Sequence, residues 1–262
     1  MSAVPVCSSV KLTHAPVCYA GEDLEITCSD RAFSEWTDED LEQTFDLLLQ
    51  VSNHFEHFVV VGSHGDRGFR WHIMPVNGYL NQINVVRRMI LGGFENPNHG
   101  EPELTKNTFT PTPSPSYNPF TDQQVIDRQH LAEGSVSRVL YNYAPLIEPH
   151  LLFIPKQWRG DFRALDKSEF LEMCQMASIA MSRMSGTSYL FFKNGKPAGQ
   201  SVPHFHFHLV SAPDERTALF AKCKIIKNIL IGPSAMSAEA LEVKRATYAQ
   251  LLESTQKSDP QS

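Results

Sequence analysis

Residues 204–208 read His-Phe-His-Phe-His and run on into Leu209 and Val210. A β-strand sends successive side chains to opposite faces. The run therefore predicts His204, His206 and His208 on one face and Phe205, Phe207 and Leu209 on the other. Neighbouring imidazoles would then stand roughly 6 to 7 Å apart. At this histidine content such a triple arises by chance only about 0.02 times, so the row points to chemistry.

Outward from the row, its surroundings occur twice. Each copy opens on an Ala-Pro stretch, at residues 15 and 144, followed by a short apolar segment and an acidic helix start. Helices are predicted over Thr37–Gln50 and Asp166–Met184, each opened by a capping residue with an acid three positions on, Asp40 and Glu169. A short apolar strand follows each helix, Phe58–Val61 and Tyr189–Phe192, and Leu24–Thr27 reads as a further core strand. Next come glycine-containing loops, Gly62–Gly68 and Asn194–Gly199, and second strands, Phe69–Met74 and His204–Val210. Val85–Gly92 then parallels Ile225–Gly232. In this alignment His72 takes the place of His208 and Arg70 that of His206. One copy keeps the histidine row; the other reads as its structural partner. Between them, Glu95–Gln124 carries six prolines and is expected to meander, because proline cannot hold regular ladders. A last helix is expected over Ser237–Leu252, with a polar tail after it.

The chain has 262 residues, 42% hydrophobic and 20% charged, which is ordinary for a globular protein of one large or two small domains. A net charge of −6 argues against a nucleic-acid partner. No apolar run approaches a membrane span, and Met1–Cys7 lacks the pattern of a signal peptide. Five cysteines without a Cys-x-x-Cys spacing predict reduced thiols and a cytoplasmic location. His54, His57 and His64 read as solvated, Met173, Met176, Met181 and Met184 as core packing, and Lys222, Lys224 and Lys227 as a solvated helix face.

The segment Gly199-Gln200-Ser201-Val202-Pro203-His204-Phe205-His206-Phe207-His208-Leu209-Val210 resembles the signature of the histidine-triad (HIT) superfamily, and His150-Leu151-Leu152-Phe153-Ile154-Pro155-Lys156 resembles that family's upstream strand. The resemblance covers about 139–212 and implies an α+β fold with an antiparallel sheet. With the duplication, this becomes two tandem units forming an intrachain pseudo-dimer. The expected division is a degenerate HIT-like unit at 1–94, a linker at 95–130, an active unit at 131–234 and a C-terminal helix and tail at 235–262. By resemblance, His206 attacks the α-phosphorus of a nucleotide, His204 and His208 flank it, and His150 orients the row from behind. Asn194, Gly199, Gln200, Ser201 and Asn142 are expected to bind the nucleotide or its phosphate.

The implied activity is hydrolysis that releases a nucleoside monophosphate from a phosphoanhydride or phosphoramidate. The partner is a purine mononucleotide or dinucleotide derivative, with no cofactor and no metal. Asn142, where hydrolase members often have aspartate, and the fused half-units look instead like the diadenosine tetraphosphate phosphorylase and galactose-1-phosphate uridylyltransferase branch. Transfer to phosphate or another acceptor, and nucleotide binding without turnover, are therefore the alternatives. Three alternating histidines also suit zinc, but that reading leaves the Gly-Gln-Ser loop without a role. The internal partner copy predicts a monomer.

Overall fold

The computed structural model describes residues 10–66, 68–76, 78, 85, 88, 93–212 and 234–253. In chain order the strands and α-helices are β1 (Val10–His14), β2 (Val17–Cys18), β3 (Leu24–Cys28), α1 (Asp38–His54), β4 (Phe58–Gly65), β5 (Gly68–Pro75), β6 (Phe94–Glu95), α2 (Gln123–Gln129), β7 (His130–Glu133), β8 (Ser137–Tyr141), β9 (His150–Pro155), α3 (Lys167–Arg183), β10 (Thr187–Asn194), β11 (Phe207–Ala212) and α4 (Ala238–Glu253). The expected pairing of Val85–Gly92 with Ile225–Gly232, the lysines at 222, 224 and 227 and most of the C-terminal tail lie outside the described residues, Val85 and Arg88 apart.

The two long helices form where capping chemistry and apolar spacing place them, and both run for 17 residues. At the start of α1 the Thr37 hydroxyl accepts from Asp40 N at 3.2 Å while the Asp40 carboxylate accepts from Thr37 N at 2.8 Å, so two amides with no partner inside the helix are satisfied. At the start of α3 Glu169 accepts from Asp166 N at 2.9 Å. An arginine from the preceding segment grips each capping acid, Arg31 on Asp40 at 2.9 Å and Arg159 on Glu169 at 2.7 Å. Each of these two helices also follows one 3₁₀ turn, Phe33–Glu35 before α1 and Phe162–Ala164 before α3.

One antiparallel sheet of nine strands carries both copies, in the order β1-β3-β5-β4-β10-β11-β9-β8-β7. Read from the centre, β4 answers β10, β5 answers β11, β3 answers β9 and β1 answers β8. The register makes this a pseudo-two-fold. Val61 lies opposite Phe191 across the central pair, opposite His72 on its own side, and Phe191 lies opposite His208. Carried outward through β3 and β9, the same register matches Arg70 with His206 and Asp23 with His150. The fold is therefore α+β, a HIT-like antiparallel sheet built as an intrachain pseudo-dimer.

A single apolar core joins the halves between the sheet and α1 and α3. Phe45 meets Phe162 at 5.3 Å between ring centroids, Phe58 meets Phe192 at 6.1 Å, and Trp71 meets Phe207 at 6.2 Å. Met173 is buried there, with Met176, Met181 and Met184 packed at the margin. β4 runs through the expected loop to Gly65; Gly62 lies inside it because a Cβ there would sit 2.5 Å from the Phe69 ring and 2.9 Å from Trp71. No helix or strand interrupts residues 96–122, as the prolines predict, and α4 packs on β7 and β8. Among the described residues no helix is long and apolar enough to cross a membrane.

The expected strand over His204–Val210 is corrected: β11 begins only at Phe207. Pro203 has no N–H to give, His204 N turns back to Val202 O at 2.8 Å, and Phe205 N is taken by Arg159 O at 2.5 Å. Side chains still alternate, with Phe205, Phe207 and Leu209 fully buried in the core.

Candidate active site

The three histidines stand at the start of β11, and the protein's own hydrogen bonds fix the tautomer of each. A carbonyl oxygen only accepts, so His206 Nδ1–H donates to His204 O at 2.7 Å and His206 Nε2 is left unprotonated in the neutral ring. His204 Nε2–H donates to Pro155 O at 3.1 Å, and His204 Nδ1 accepts from the Asn118 amide at 2.6 Å. His150, on β9 and 1% exposed, accepts at Nδ1 from Leu146 N and from Asn142 Nδ2, both at 3.1 Å. Asn142 is oriented by its oxygen, which accepts from Ala144 N at 3.0 Å. The proton of His150 is therefore on Nε2, which donates to His208 Nδ1 at 2.9 Å and leaves His208 with Nε2–H as a donor. The His206 and His208 rings lie 4.5 Å apart, closer than an ideal strand spacing, and Phe191 stacks on His208 at 4.6 Å.

Electrostatics keep the row neutral. Burial, then the charges of His206 and Lys193, pushes His150 down to about 3. Burial pushes His204 down to about 4, against bonds to backbone carbonyls that pull it up. Burial likewise pushes His206 down to about 4, with the His204 carbonyl pulling up and the charges of His204 and Lys193 pushing down. His208 lies well below its ordinary value, again through burial first. His204 has both ring nitrogens engaged by protein and offers none to a metal.

Beside the row lies the expected phosphate loop. Gly195 at φ +88° and Gly199 at φ +87° bracket the 3₁₀ turn Lys196–Ala198, and both positions suit glycine because a Cβ is disfavoured there. Ser201 is exposed beyond it. Three of the residues expected to bind the nucleotide are engaged by the protein itself. Asn194 is fully buried with both ends spent, its oxygen accepting from Phe162 N at 2.8 Å and its amide donating to Glu56 O at 2.9 Å. Gln200 accepts from Gly195 N at 2.8 Å and donates to Gly160 O at 3.1 Å, which braces the loop. Asn142 orients His150 and holds the Ala144 amide. All three help to shape the site.

Sequence reasoning missed Asn118 and Phe120. Both come from the proline-rich segment, which folds back so that Phe120 lies 5.8 Å from the His204 ring and 5.0 Å from that of His206. A lone Asn-Pro-Phe in a Ser/Thr/Pro tract was their one local signal.

The first half is built differently at the matching place. His72 Nε2 meets Asp23 at 2.8 Å, and Arg70 meets Glu25 at 3.4 Å, so the chain's own carboxylates occupy both groups. Burial alone would raise the Asp23 pKa; the His72 bond and the amides of Tyr19 and Ala20 outweigh it and hold the carboxyl low. Of the scattered histidines, His64 is exposed, His54 accepts from Thr105 N at 2.9 Å, and His57 has a buried Nδ1 without a partner among the described residues.

The chain is similar to known proteins in sequence and in fold. Residues 123–215 match the family model of the HIT domain. The chain is 28% identical over 90 residues to an adenosine 5'-monophosphoramidase of Schizosaccharomyces pombe, covering 34% of this chain and 68% of that protein. It is 30% identical over 80 residues to a bis(5'-adenosyl)-triphosphatase of Dictyostelium discoideum, covering 29% of this chain and 54% of that protein. A solved uridylyltransferase mutant superposes with a TM-score of 0.50 at 8% identity, covering 88% of this chain and 78% of that one, a likeness of fold. Residues 123–215 are thus similar to the HIT domain, and the chain shares the fold of a uridylyltransferase over most of its length.

Proposed function

We propose that the chain is an enzyme that releases a nucleoside monophosphate from a phosphoanhydride or phosphoramidate through a nucleotidyl-histidine on His206. The observation that carries this is the bond from His206 Nδ1–H to the His204 carbonyl, which leaves the Nε2 lone pair free in a ring kept neutral by burial. Nε2 attacks the α-phosphorus, the N–P bond forms, and the bond to the leaving group breaks. The positive charge left on the ring is shared with the His204 carbonyl through Nδ1–H. His208 Nε2–H donates to a non-bridging oxygen, and Gly199 and Ser201 line the cradle. Water then attacks phosphorus, frees the monophosphate and restores the imidazole. His204, braced by Asn118, fixes the backbone that holds His206, and His150 with Asn142 sets the tautomer of His208.

The phosphoramidase and triphosphatase relatives favour adenine nucleotides as substrates. The proposal includes no cofactor, nucleic-acid or membrane partner. It places the chain in the cytoplasm, as suits the buried thiols Cys18 and Cys174, and keeps the division at 94, 130 and 234. The test is incubation with adenosine phosphoramidate and dinucleoside polyphosphates while intact mass is followed. A transient nucleotide adduct on His206, with the monophosphate as product, is the expected result. Its absence during turnover would remove the covalent step, and a phosphorolytic product would make the acceptor phosphate instead of water.

The pH dependence follows from the same burial. Histidine titrates near 6.5 in an unfolded chain, while His204 and His206 are pushed down to about 4. Between these values the unfolded state binds more protons, so stability is complete above about 6.5 and is lost as pH falls toward 4. The nucleophile itself stays neutral in that window. The expected kcat/KM profile is flat from pH 8 to about 5 while the melting temperature falls progressively below about 6.5. An acid limb near 6.5 at constant melting temperature would contradict the assigned tautomers.

A further inference from the structure

Lys193 and Asn194 end the same strand but lie on opposite faces of it. On β10, Leu190, Phe192 and Asn194 are buried on the core side. Alternation puts Tyr189, Phe191 and Lys193 on the other face. Phe191 stacks on His208 there, at 4.6 Å and 10° between planes, so Lys193 lies on the face of the histidine row. Its Nζ donates to Gly199 O at 3.4 Å, which places the ammonium at the phosphate loop. Its charge is felt at His150, His206 and His208.

Lys193 is half-buried, and among the described residues no carboxylate pairs with its ammonium. Across the sheet it faces Val59, an apolar neighbour. An ammonium has three donors, and one long bond to a carbonyl leaves most of its capacity unspent. A half-buried cation without a counter-charge is costly to keep. The histidines around it are neutral, so they add donors and a nucleophile but no net charge to meet an anion. The first half shows the contrast, since Arg70 and His72 there are met by Glu25 and Asp23.

We infer that Lys193 binds the phosphate of the substrate, supplying positive charge beside the histidine row and the counter-charge to the oxygens as the leaving group departs. The inference rests on the nucleotidyl-transfer reading above. Burial alone pushes the Lys193 pKa down, and a phosphate beside it acts in the opposite direction.

The test uses the full chain with AMP as probe. Lys193→Met is expected to weaken AMP binding about 30-fold or more and turnover about 100-fold or more, while the ligand-free melting temperature stays level or rises. Lys193→Arg, which keeps the charge, is expected to stay within about tenfold of the native chain. On the native protein, AMP is expected to block acylation of Lys193, read by peptide mass, a measurement that does not depend on any variant folding. AMP affinity of Lys193→Met within about threefold of native, or labelling of Lys193 unaffected by saturating AMP, would overturn the inference. If His206→Ala is inactive while Lys193→Met binds AMP like the native chain, only the role of Lys193 fails. If His206→Ala still turns over, the covalent reading fails on its own.

Discussion

Replacing His206 with alanine is expected to lower turnover at least about ten-thousand-fold, with AMP binding largely kept. The size follows from what the ring does. No other unprotonated ring nitrogen is free in the cluster: His204 Nδ1 is taken by Asn118, His150 Nδ1 by Leu146 and Asn142, and His208 Nδ1 by His150. With His206 gone the remaining donors still hold a phosphate, but nothing is placed to form the N–P bond, and the slow residual reaction is direct attack by water. The folded state loses one buried bond, His206 Nδ1–H to His204 O, and a net bond of this kind contributes only about 1 kcal/mol. A melting curve close to native, together with loss of both turnover and the mass adduct, is the expected combination. More than a few percent of native turnover in a folded variant would mean that another group carries the chemistry.

Much of this was written locally in the chain. The capping pairs Thr37 with Asp40 and Asp166 with Glu169 announce both helices because a helix start is decided within four residues. The histidine row and its phenylalanines could be assigned to opposite faces because the period of an extended backbone is two. What was not legible is set by partners far along the chain. β11 starts late because Arg159 O takes the amide of Phe205, a contact 46 residues away, by subtraction. Asn118 reaches His204 across 86 residues from a tract with no periodicity to read. Alternation from Leu190 and Phe192 alone assigns Asn194 to the core side and Lys193 to the face of Phe191.

The central pair of the sheet carries the second large effect. Val61 and Phe191 are directly opposed and are images of one another in the pseudo-two-fold, so β10 meets in β4 a copy of what it would meet in a second HIT unit. Taken alone, residues 123–262 lose β4 and with it the ladder on one side of β10 along Tyr189–Asn194, and the core loses Phe45, Phe58 and Trp71. A long new edge strand over an opened apolar face is a template for association. The full chain is expected to sediment as a monomer and the isolated second half to self-associate at micromolar concentration, with Phe191 opposite its own copy. A cooperative, monomeric melt of that half would show that the first half is an appendage, and that the sheet does not need its partner. The register has its own test in the full chain. Opposed residues of an antiparallel pair have Cα atoms about 4.5 to 5.5 Å apart, inside the range a disulfide spans. Val61→Cys with Phe191→Cys is therefore expected to oxidise to an intrachain bridge. Because that bridge closes more than a hundred residues, it should stabilise the fold by roughly 4 kcal/mol. Moving one cysteine by a single residue, to Val60, turns it toward the core and should leave both thiols reduced; equal bridging from positions 60 and 61 would mean that the two halves do not share the ladder described.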